Sequence, residues 1–460
     1  MQRAHVFSLS RRPASGRPYQ VRWRVHGRDH SRQFQTKAKA EQFRSQLLLA
    51  ADDTDRFDPR TGLLDQKATT PVSSQAATCY AVAIEFVARK WDGWAGKTRA
   101  SAVETLTIAV TSLIDPDAPP PPVAEEHVRS WLRHIALTPP FDDNGSDLAQ
   151  RCRHHFDSAA HDWLIRYSLP VSRVDMATAE ATLTRFATRL DGAGSTAATV
   201  TRRRRSVFGA YLKYAVRSGQ LAADPLSASD WKPPLVDREV SPDLVATLNE
   251  ARALVDATEH GGKRGRRLTA FFATLYFAGL RPSEALALTA ADLDLPADGW
   301  GTIHVRRSRT APGKAFTATG NSHEQRPLKW RASRATRQVP IPPELVTHLR
   351  RHLARYPATP DSLVFTNQAG GPVHPSAYSR AFGQAKQVAF PASSPLRRSI
   401  PYSLRHGNAT LLLNSGVPIA EAARRLGHSP DVLLSVYAGV TTSDRDTANA
   451  LIDAALDTSP

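Results

Sequence analysis

Hydrophobic and polar positions alternate strictly over a short segment near the N-terminus. Three apolar side chains fall on one face and two basic side chains on the other, namely Val21, Trp23 and Val25 against Arg22 and Arg24. This period of two is typical of a strand with one buried face. Residues 6–9 and 31–34 suit flanking strands, so the pattern predicts a three-stranded sheet.

A helical period replaces the alternation after this sheet. Thr36 is placed to cap a helix that ends near residue 50. Three apolar residues at helical spacing would form its buried side, Ala40, Phe43 and Leu47. The residues that follow, 52–74, are polar and rich in turn-forming types, which indicates a linker.

Helical spacing then dominates from residue 76 to residue 218. A proline cluster at 116–122 and a polar stretch at 139–148 interrupt it. After a first helix that precedes Trp91 and Trp94, the predicted helices occupy residues 97–113, 161–167, 178–190 and 199–218. We therefore expect an all-helical domain between two linkers.

The last of these helices combines two kinds of surface. Aromatic and aliphatic residues recur at helical intervals and follow a run of four arginines: Phe208, Tyr211, Leu212 and Tyr214 after Arg202, Arg203, Arg204 and Arg205. With the aromatic face packed in a core, the arginines would stay free to contact phosphates. An ordinary solvated helix face is the alternative interpretation.

A proline-containing stretch around 224–234 marks the second linker, and a C-terminal domain is predicted from residue 240. Its pattern indicates helices at 242–258, 267–278 and 282–288, a strand-and-loop region at 302–341, and helices to the end. The predicted fold class is mainly α with small β-sheets, an α+β arrangement. Three domains are expected, at 1–55, 75–232 and 240–460, of which the last is mixed α/β.

Charge favours a polyanionic partner. The 460 residues carry a formal net charge of +17, and the first 50 of them hold eleven Lys and Arg against two acids. A basic sheet face with Arg22 and Arg24 therefore suits docking on DNA, with a plain solvated sheet as the alternative.

Two cysteines without C-x-x-C spacing fit a reducing cytoplasm, and no apolar run reaches the roughly 18 residues that span a membrane.

Two arginines stand at predicted helix starts, where free backbone N–H groups favour an anion. Gly279 ends one helix and Pro282 begins the next, which places Arg281 between them. Glu284 follows on the next turn and would orient that guanidinium, although an ordinary surface ion pair is the alternative. Arg405 begins another predicted helix in the same way.

A histidine and a tyrosine complete this series. His428 follows a glycine that ends the predicted helix 418–426, and Tyr437 lies nine residues later, about two turns along the next helix. A phenol has a pKa near 10 and is a poor nucleophile at neutral pH, unless cations surround the anion that it attacks. Each of these residues alone has a structural explanation, whereas four such elements together favour a catalytic site.

These segments resemble the tyrosine recombinase, or phage integrase, family, and in particular its actinobacterial-type integrases. The shared motifs are G-L-R-x-x-E at 279–284, x-L-R-H at 403–406, L-G-H-S at 426–429, and the tyrosine nine residues after that histidine. The likeness is close over residues 280–440 and looser elsewhere. It implies an arm-type DNA-binding domain, a helical core-binding domain and a catalytic domain in the three predicted regions.

The resemblance also implies roles for individual residues. Tyr437 would be the nucleophile, while Arg281, Arg405 and His428 would bind the phosphate. The position three residues before the second arginine is usually histidine or lysine in this family, and here it is Tyr402. Because a tyrosine is a poor base at neutral pH, Tyr402 would give little help in removing the nucleophile's proton, and His406 lies close by.

A lysine on the hairpin before a V-P-I-P strand would serve as the general acid. Lys329 matches best and Lys314 is the fallback, and the nearby arginines, Arg331 among them, would contact phosphates. The implied reaction is a phosphoryl transfer without metal or cofactor, through a 3′-phosphotyrosyl intermediate. The implied partners are double-stranded DNA attachment sites, three further copies in a homotetramer and a recombination directionality factor.

The expected role is integration or excision of a mobile element, in a cytoplasmic, nucleoid-associated protein without a membrane partner. A type IB topoisomerase would share the chemistry without exchanging strands. A non-catalytic regulator would use residues 419–437 as a helix-turn-helix, but this leaves Arg281 and Lys329 unexplained. Metal binding by paired histidines, His26 with His30 or His154 with His155, lacks further ligands in the sequence.

Overall fold

The computed structural model describes residues 4–11, 16–25, 27–49, 77–140, 148, 151–152, 154–189, 191–236, 240–327, 336–437, 449, 453 and 456. The chain divides into two compact units, Met1–Ala76 and Ala77–Pro460. Within these described residues, none of the helices has the length and apolar character needed to cross a membrane.

The N-terminal unit is a small antiparallel sheet with one helix. Its strands are β1 (His5–Val6), β2 (Ser10–Arg11), β3 (Tyr19–Val25) and β4 (Arg28–Phe34), and its helix is α1 (Lys37–Leu49). Strand β3 is central: β4 pairs along its whole length, while β1 and β2 pair with successive parts of it. Val21, Trp23, Val25, Ala40 and Leu47 are buried as expected, but the sheet has four strands and not the predicted three, because β1 and β2 pair with different parts of β3.

The second unit begins with a helical region. Its helices are α2 (Cys79–Lys90), α3 (Gly96–Ser112), α4 (Glu125–Trp131), α5 (His155–Tyr167), α6 (Met176–Ala187) and α7 (Ala198–Arg217), with a π-helical turn after α4 at Leu132–Ala136. The aromatic face of α7 is buried in one hydrophobic core with α2, α3 and α6. The predicted helices are confirmed within three residues, except that α5 begins at residue 155 and not at the predicted 161, and α4 is an addition to them.

The expectation that all four arginines of α7 stay free is wrong for Arg204. Its side chain is buried, with Nη2 3.0 Å from Glu104 Oε1 on α3 and Nη1 donating to the carbonyl of Phe186 at 2.9 Å. Arg202 and Arg203 are exposed, whereas the guanidinium of Arg205 lies 5.9 Å from the ring centre of Trp231. The helix therefore turns one arginine of the run towards its own core.

The rest of the described chain packs around a separate core. In order, the elements are α8 (Leu248–Glu259), α9 (Gly262–Phe277), α10 (Pro282–Ala285), β5 (Leu293–Asp294), β6 (Gly301–Val305), β7 (Arg307–Thr310), β8 (Glu324–Pro327), β9 (Arg337–Ile341), α11 (Pro343–Arg355), α12 (Pro375–Ala389), α13 (Ser403–Asn414), α14 (Ile419–Leu426) and α15 (Pro430–Tyr437). Strands β5, β6 and β9 form one antiparallel sheet, and β7 and β8 form a hairpin. Helix α9 is buried along most of its length, which makes it the centre of this core.

The β7–β8 hairpin contacts the helical region directly. Glu324 Oε2 accepts a hydrogen bond from the backbone N–H of Gly96 at 3.0 Å, and Arg99 Nη1 donates to the carbonyl of Phe316 at 3.2 Å. The ring of Phe316 also packs near Trp91, with ring centres 6.4 Å apart. These contacts hold the β7–β8 hairpin against the helical region. Strand β8 of this hairpin ends at Pro327, directly before residues 328–335.

Candidate active site

A buried carboxylate lies at the centre of the cationic cluster. Glu284, on α10, is 3% exposed. It accepts hydrogen bonds from Arg281 Nη1 at 2.8 Å and from Arg337 Nη2 at 2.7 Å. Burial opposes its ionisation, but Arg337 and Arg281 outweigh that effect and lower the pKa of Glu284 to about 2. The alternative of an ordinary surface ion pair for Arg281 and Glu284 is therefore wrong.

Arg405 lies at the start of α13 and is completely buried. Its guanidinium is held by backbone oxygens, because Nη1 donates to the carbonyl of Gly279 and Nη2 donates to that of Leu426 at 2.6 Å. Gly279 adopts a φ of +60°, as expected for the residue that ends α9. Burial, together with the charge of Arg281, lowers the pKa of Arg405 to about 10, so it remains a cation at neutral pH.

His428 follows the left-handed Gly427, whose φ of +67° ends α14. Arg405 Nη2 lies 2.8 Å from His428 Nε2. Because a guanidinium can only donate, Nε2 accepts this bond and the neutral ring carries its proton on Nδ1. Burial, and then the charge of Arg405, lowers the pKa of His428 to about 3, which keeps the ring neutral. Among the described residues, nothing accepts a hydrogen bond from the buried Nδ1.

Tyr437 ends α15 and is only 1% exposed. Its hydroxyl oxygen lies 2.8 Å from Nδ1 of His406. His406 lies on α13, one turn after Tyr402. Burial raises the pKa of Tyr437 well above its ordinary value, although Arg405 and Arg281 act in the opposite direction. The tyrosine is therefore a protonated phenol whose hydrogen bond points at an imidazole.

One cavity joins these side chains. It has a volume of about 640 Å³, and Tyr402, His406, His428 and Tyr437 line it. Arg398 adds a further cation to the wall, which is otherwise largely apolar: Val240, Leu244, Ile400, Val432 and Val436. The cavity thus offers an anion a partly dry site with Arg398 in its wall and with Arg405 directly behind His428.

Tyr402 lies where the first turn of α13 meets this cavity. Its ring centre is 5.0 Å from that of His406 and 6.0 Å from the guanidinium carbon of Arg405. Burial lowers the pKa of Arg281, but Glu284 and then Tyr402 act in the opposite direction and raise it above its ordinary value. Five predicted positions therefore converge on one site: Arg281, Tyr402, Arg405, His428 and Tyr437.

The candidate general acid is not placed by the structure. Lys329 and Arg331 lie outside the described residues. The fallback, Lys314, is exposed in a 3₁₀ turn (Lys314–Phe316) between β7 and β8. The assignment of the acid therefore stays a prediction.

The candidate DNA contacts of the N-terminal sheet are exposed, as expected from the alternation. Arg24 forms an exposed ion pair with Asp29, with Nε 2.6 Å from Oδ1. The guanidinium of Arg22 lies 5.5 Å from the ring centre of Phe7. Among the described residues, no group of three His, Cys, Asp or Glu side chains is arranged to hold a metal ion.

Sequence reasoning missed Arg337. It begins β9, where Arg337, Val339 and Ile341 alternate with exposed or half-buried residues and share the buried face. Ile341 and Val339 are two residues apart, and extending this alternation by two more residues to Arg337 would have predicted a guanidinium in the core. A buried guanidinium without a partner is strongly destabilising, and Glu284 provides the partner of Arg337.

The C-terminal half of the chain matches a known family. Residues 245–443 correspond to the phage integrase family. The tyrosine recombinase XerD of Corynebacterium glutamicum is 27% identical over 323 residues, which cover 68% of this chain and 93% of that protein. The tyrosine recombinase XerC of Bradyrhizobium diazoefficiens is 26% identical over 333 residues, covering 70% and 90% of the two chains.

Solved structures with a similar path of the chain include a Tn1549 transposon integrase in complex with transposon right end DNA. It is 20% identical, with a TM-score of 0.47, and the match covers 71% of this chain and 98% of that one. The XerH recombinase bound to difH substrate is 15% identical, with a TM-score of 0.47 and coverage of 83% and 97%.

Proposed function

This chain belongs to the phage integrase family of tyrosine recombinases, and we propose that it cleaves and rejoins DNA with Tyr437 as its nucleophile. The observation that carries this assignment is that Tyr437 and a neutral His428 line one cavity, with the fully buried Arg405 bonded to His428 at 2.8 Å. This arrangement supplies a nucleophile and a preformed anion site together, which is what phosphoryl transfer requires.

In the proposed step, the Tyr437 oxygen attacks the scissile phosphorus in line. A tyrosine–phosphorus bond forms while the bond to the 5′-oxygen breaks, which leaves a 3′-phosphotyrosyl link and a 5′-hydroxyl. The covalent link conserves the energy of the phosphodiester, so rejoining by the reverse reaction needs no further energy source.

The two arginines would stabilise the charge that develops on the phosphoryl oxygens. Arg281 is one third exposed and can reach a bound phosphate, whereas Arg405 is held from behind by the carbonyl groups of Gly279 and Leu426. His428 would donate from Nδ1, the atom without an acceptor among the described residues. Fixed donors in a partly dry site stabilise such charge more than solvated ones do.

A proton must reach the departing 5′-oxygen, and we assign this step to Lys329. A substrate with a bridging 5′-sulfur leaves without a proton, so it should restore cleavage by Lys329→Ala. Lys314→Ala serves as the matched variant, because it is the other lysine of this region. If the sulfur substrate restores cleavage by Lys314→Ala and not by Lys329→Ala, the role of general acid belongs to Lys314.

The other two regions would hold the DNA. We propose residues 1–55 as an arm-type DNA-binding domain, 75–232 as the core-binding domain and 240–460 as the catalytic domain. Six arginines of these regions and of the catalytic domain would contact phosphates: Arg22, Arg24, Arg202, Arg203, Arg205 and Arg331. We further propose that the protein assembles as a homotetramer on paired attachment sites and acts with a directionality factor. Its role would be the integration or excision of a mobile element.

A nicked suicide duplex tests the nucleophile. The wild type should accumulate a covalent protein–DNA adduct with a free 5′-hydroxyl, because the released strand end diffuses away. Tyr437→Phe should form none while still binding the duplex. An adduct that persists in Tyr437→Phe would overturn the assignment.

A further inference from the structure

We propose that His406 accepts the hydroxyl proton of Tyr437 as the tyrosine attacks, and returns it when the strand is rejoined. The inference rests on the proposed nucleophilic role of Tyr437. It assigns to His406, which follows the second arginine of the motif, the role of general base.

Geometry is the first support. His406 Nδ1 lies 2.8 Å from the Tyr437 hydroxyl oxygen, within the range for direct proton transfer. Among the described residues, this imidazole is the side chain that hydrogen-bonds the hydroxyl. The two residues come from α13 and α15, so the contact depends on how these helices pack and not on local spacing.

The neighbouring groups explain why this proton acceptor is available. Arg405 lies on the same helix, Tyr402 packs edge-on at 5.0 Å between ring centres, and Arg398 and His428 line the shared cavity. Burial, followed by the charge of Arg405, lowers the pKa of His406 to about 4, so the ring is neutral at pH 7. A neutral ring with its proton on Nε2 presents Nδ1 as an acceptor to the phenol.

Substrate binding would increase the basicity of this ring. A phosphodiester anion beside Arg405 offsets the positive charge that disfavours the imidazolium. Tyr402, which also lines the cavity, carries a phenol, a group that accepts a proton poorly at neutral pH. His406 is therefore the better base of the two, and its basicity would rise when the phosphate is in place.

The proton balance is complete. The Tyr437 proton moves to His406 Nδ1, the tyrosine–phosphorus bond forms, and the 5′-oxygen leaves with a proton from the general acid proposed above. In rejoining, the 5′-hydroxyl returns its proton to that acid. The tyrosine oxygen then leaves phosphorus and recovers its proton from His406.

The test must separate a base from a residue that only holds Tyr437 in place. His406→Asn suits this purpose, because the asparagine amide can hydrogen-bond the phenol but cannot accept its proton. We expect covalent adduct formation on the suicide duplex to slow by ~10²–10³-fold, the usual contribution of general acid–base catalysis. His406→Gln provides a second variant if His406→Asn does not fold.

A fluorinated tyrosine at position 437 gives the decisive readout. Its more acidic phenol ionises with less help, so the rate difference between wild type and His406→Asn should be much smaller with the fluorinated residue than with tyrosine. A defect of equal size with both phenols would show that His406 acts only through structure, and a wild-type rate in His406→Asn would also overturn the proposal. If wild type forms no adduct, or Tyr437→Phe forms one, the proposed nucleophile itself fails.

Discussion

Glu284 and Arg337 form a buried ion pair, with 2.7 Å between Arg337 Nη2 and Glu284 Oε2 and with both side chains 3% exposed. The two residues come from α10 and from the first position of β9. The same carboxylate also bonds Arg281 and lies 3.9 Å from Arg405. Arg281 and Arg405 are the two guanidinium groups proposed to bind phosphate. Glu284 links both of them to Arg337 and so to the sheet that contains β9.

This pair should make the protein sensitive to acid. The pKa of Glu284 is lowered from 4.5 to about 2, so its contribution to stability is present above pH 4.5 and is lost as the pH falls towards 2. Glu284→Gln should lower the free energy of unfolding at pH 7 by about 3–5 kcal/mol, because it leaves buried guanidinium charge uncompensated. Urea titrations between pH 2 and pH 7 measure both effects.

Glu344→Gln is the matched control. Glu344 pairs with Arg252 at 2.7 Å, but both side chains are about a third to a half exposed. Solvent screens this pair, so its loss should change the unfolding free energy little. Equal effects of Glu284→Gln and Glu344→Gln would contradict a structural role for the buried pair.

Gly427→Ala should impair both stability and cleavage. The left-handed φ of +67° disfavours any side chain, and a Cβ there would overlap the guanidinium of Arg337. Gly370→Ala has a similar φ of +79° with open space around it, so it isolates the backbone cost of about 1 kcal/mol. We expect a larger loss of stability and slower adduct formation in Gly427→Ala alone. Identical losses in the two variants would refute the packing argument.

Gly96→Ala should weaken the contact between α3 and the β7–β8 hairpin. Its Cβ would lie 2.7 Å from Pro312 Cγ and 2.9 Å from the carbonyl oxygen of Phe316. Overpacking of this kind costs about 1–3 kcal/mol, whereas Gly93→Ala meets no atom closer than 3.7 Å. Thermal unfolding should separate the two variants, and a neutral Gly96→Ala would show that the hairpin moves away at no cost.

The arginines of α7 should divide into two groups. Arg202→Ala and Arg203→Ala should each weaken DNA binding and reduce the slope of log affinity against log salt by ~1, if each contacts one phosphate. Arg204→Ala should instead destabilise the fold, because it removes the buried partner of Glu104. Fluorescence anisotropy at several salt concentrations, beside thermal unfolding, tests the division. It would be contradicted by an Arg204→Ala protein of normal stability with a reduced salt slope.

Local patterns were sufficient to predict most elements and how they end. The period-two alternation identified the buried face of β3, and the glycines at 279 and 427 do adopt left-handed conformations at helix ends. Fold class and family followed from these patterns and from the motifs of α10 and α13–α15.

Contacts between distant segments could not be predicted in this way. Glu284 and Arg337 are 53 residues apart, and Arg204 lies 100 residues from Glu104. Local spacing does not reveal which carboxylate a buried arginine will meet, because helix packing decides it. The contact between His406 and Tyr437 has the same origin, since it spans 31 residues.

Mapping the covalent adduct tests the central claim most directly. The wild type is trapped on a suicide duplex, digested with protease and nuclease, and the peptide that retains a nucleotide is sequenced by mass spectrometry. We predict that the peptide that contains α15 carries a nucleotide joined through its 3′-phosphate to the hydroxyl oxygen of Tyr437. The same modification on Tyr402, which lines the same cavity, or on any other residue would contradict the account.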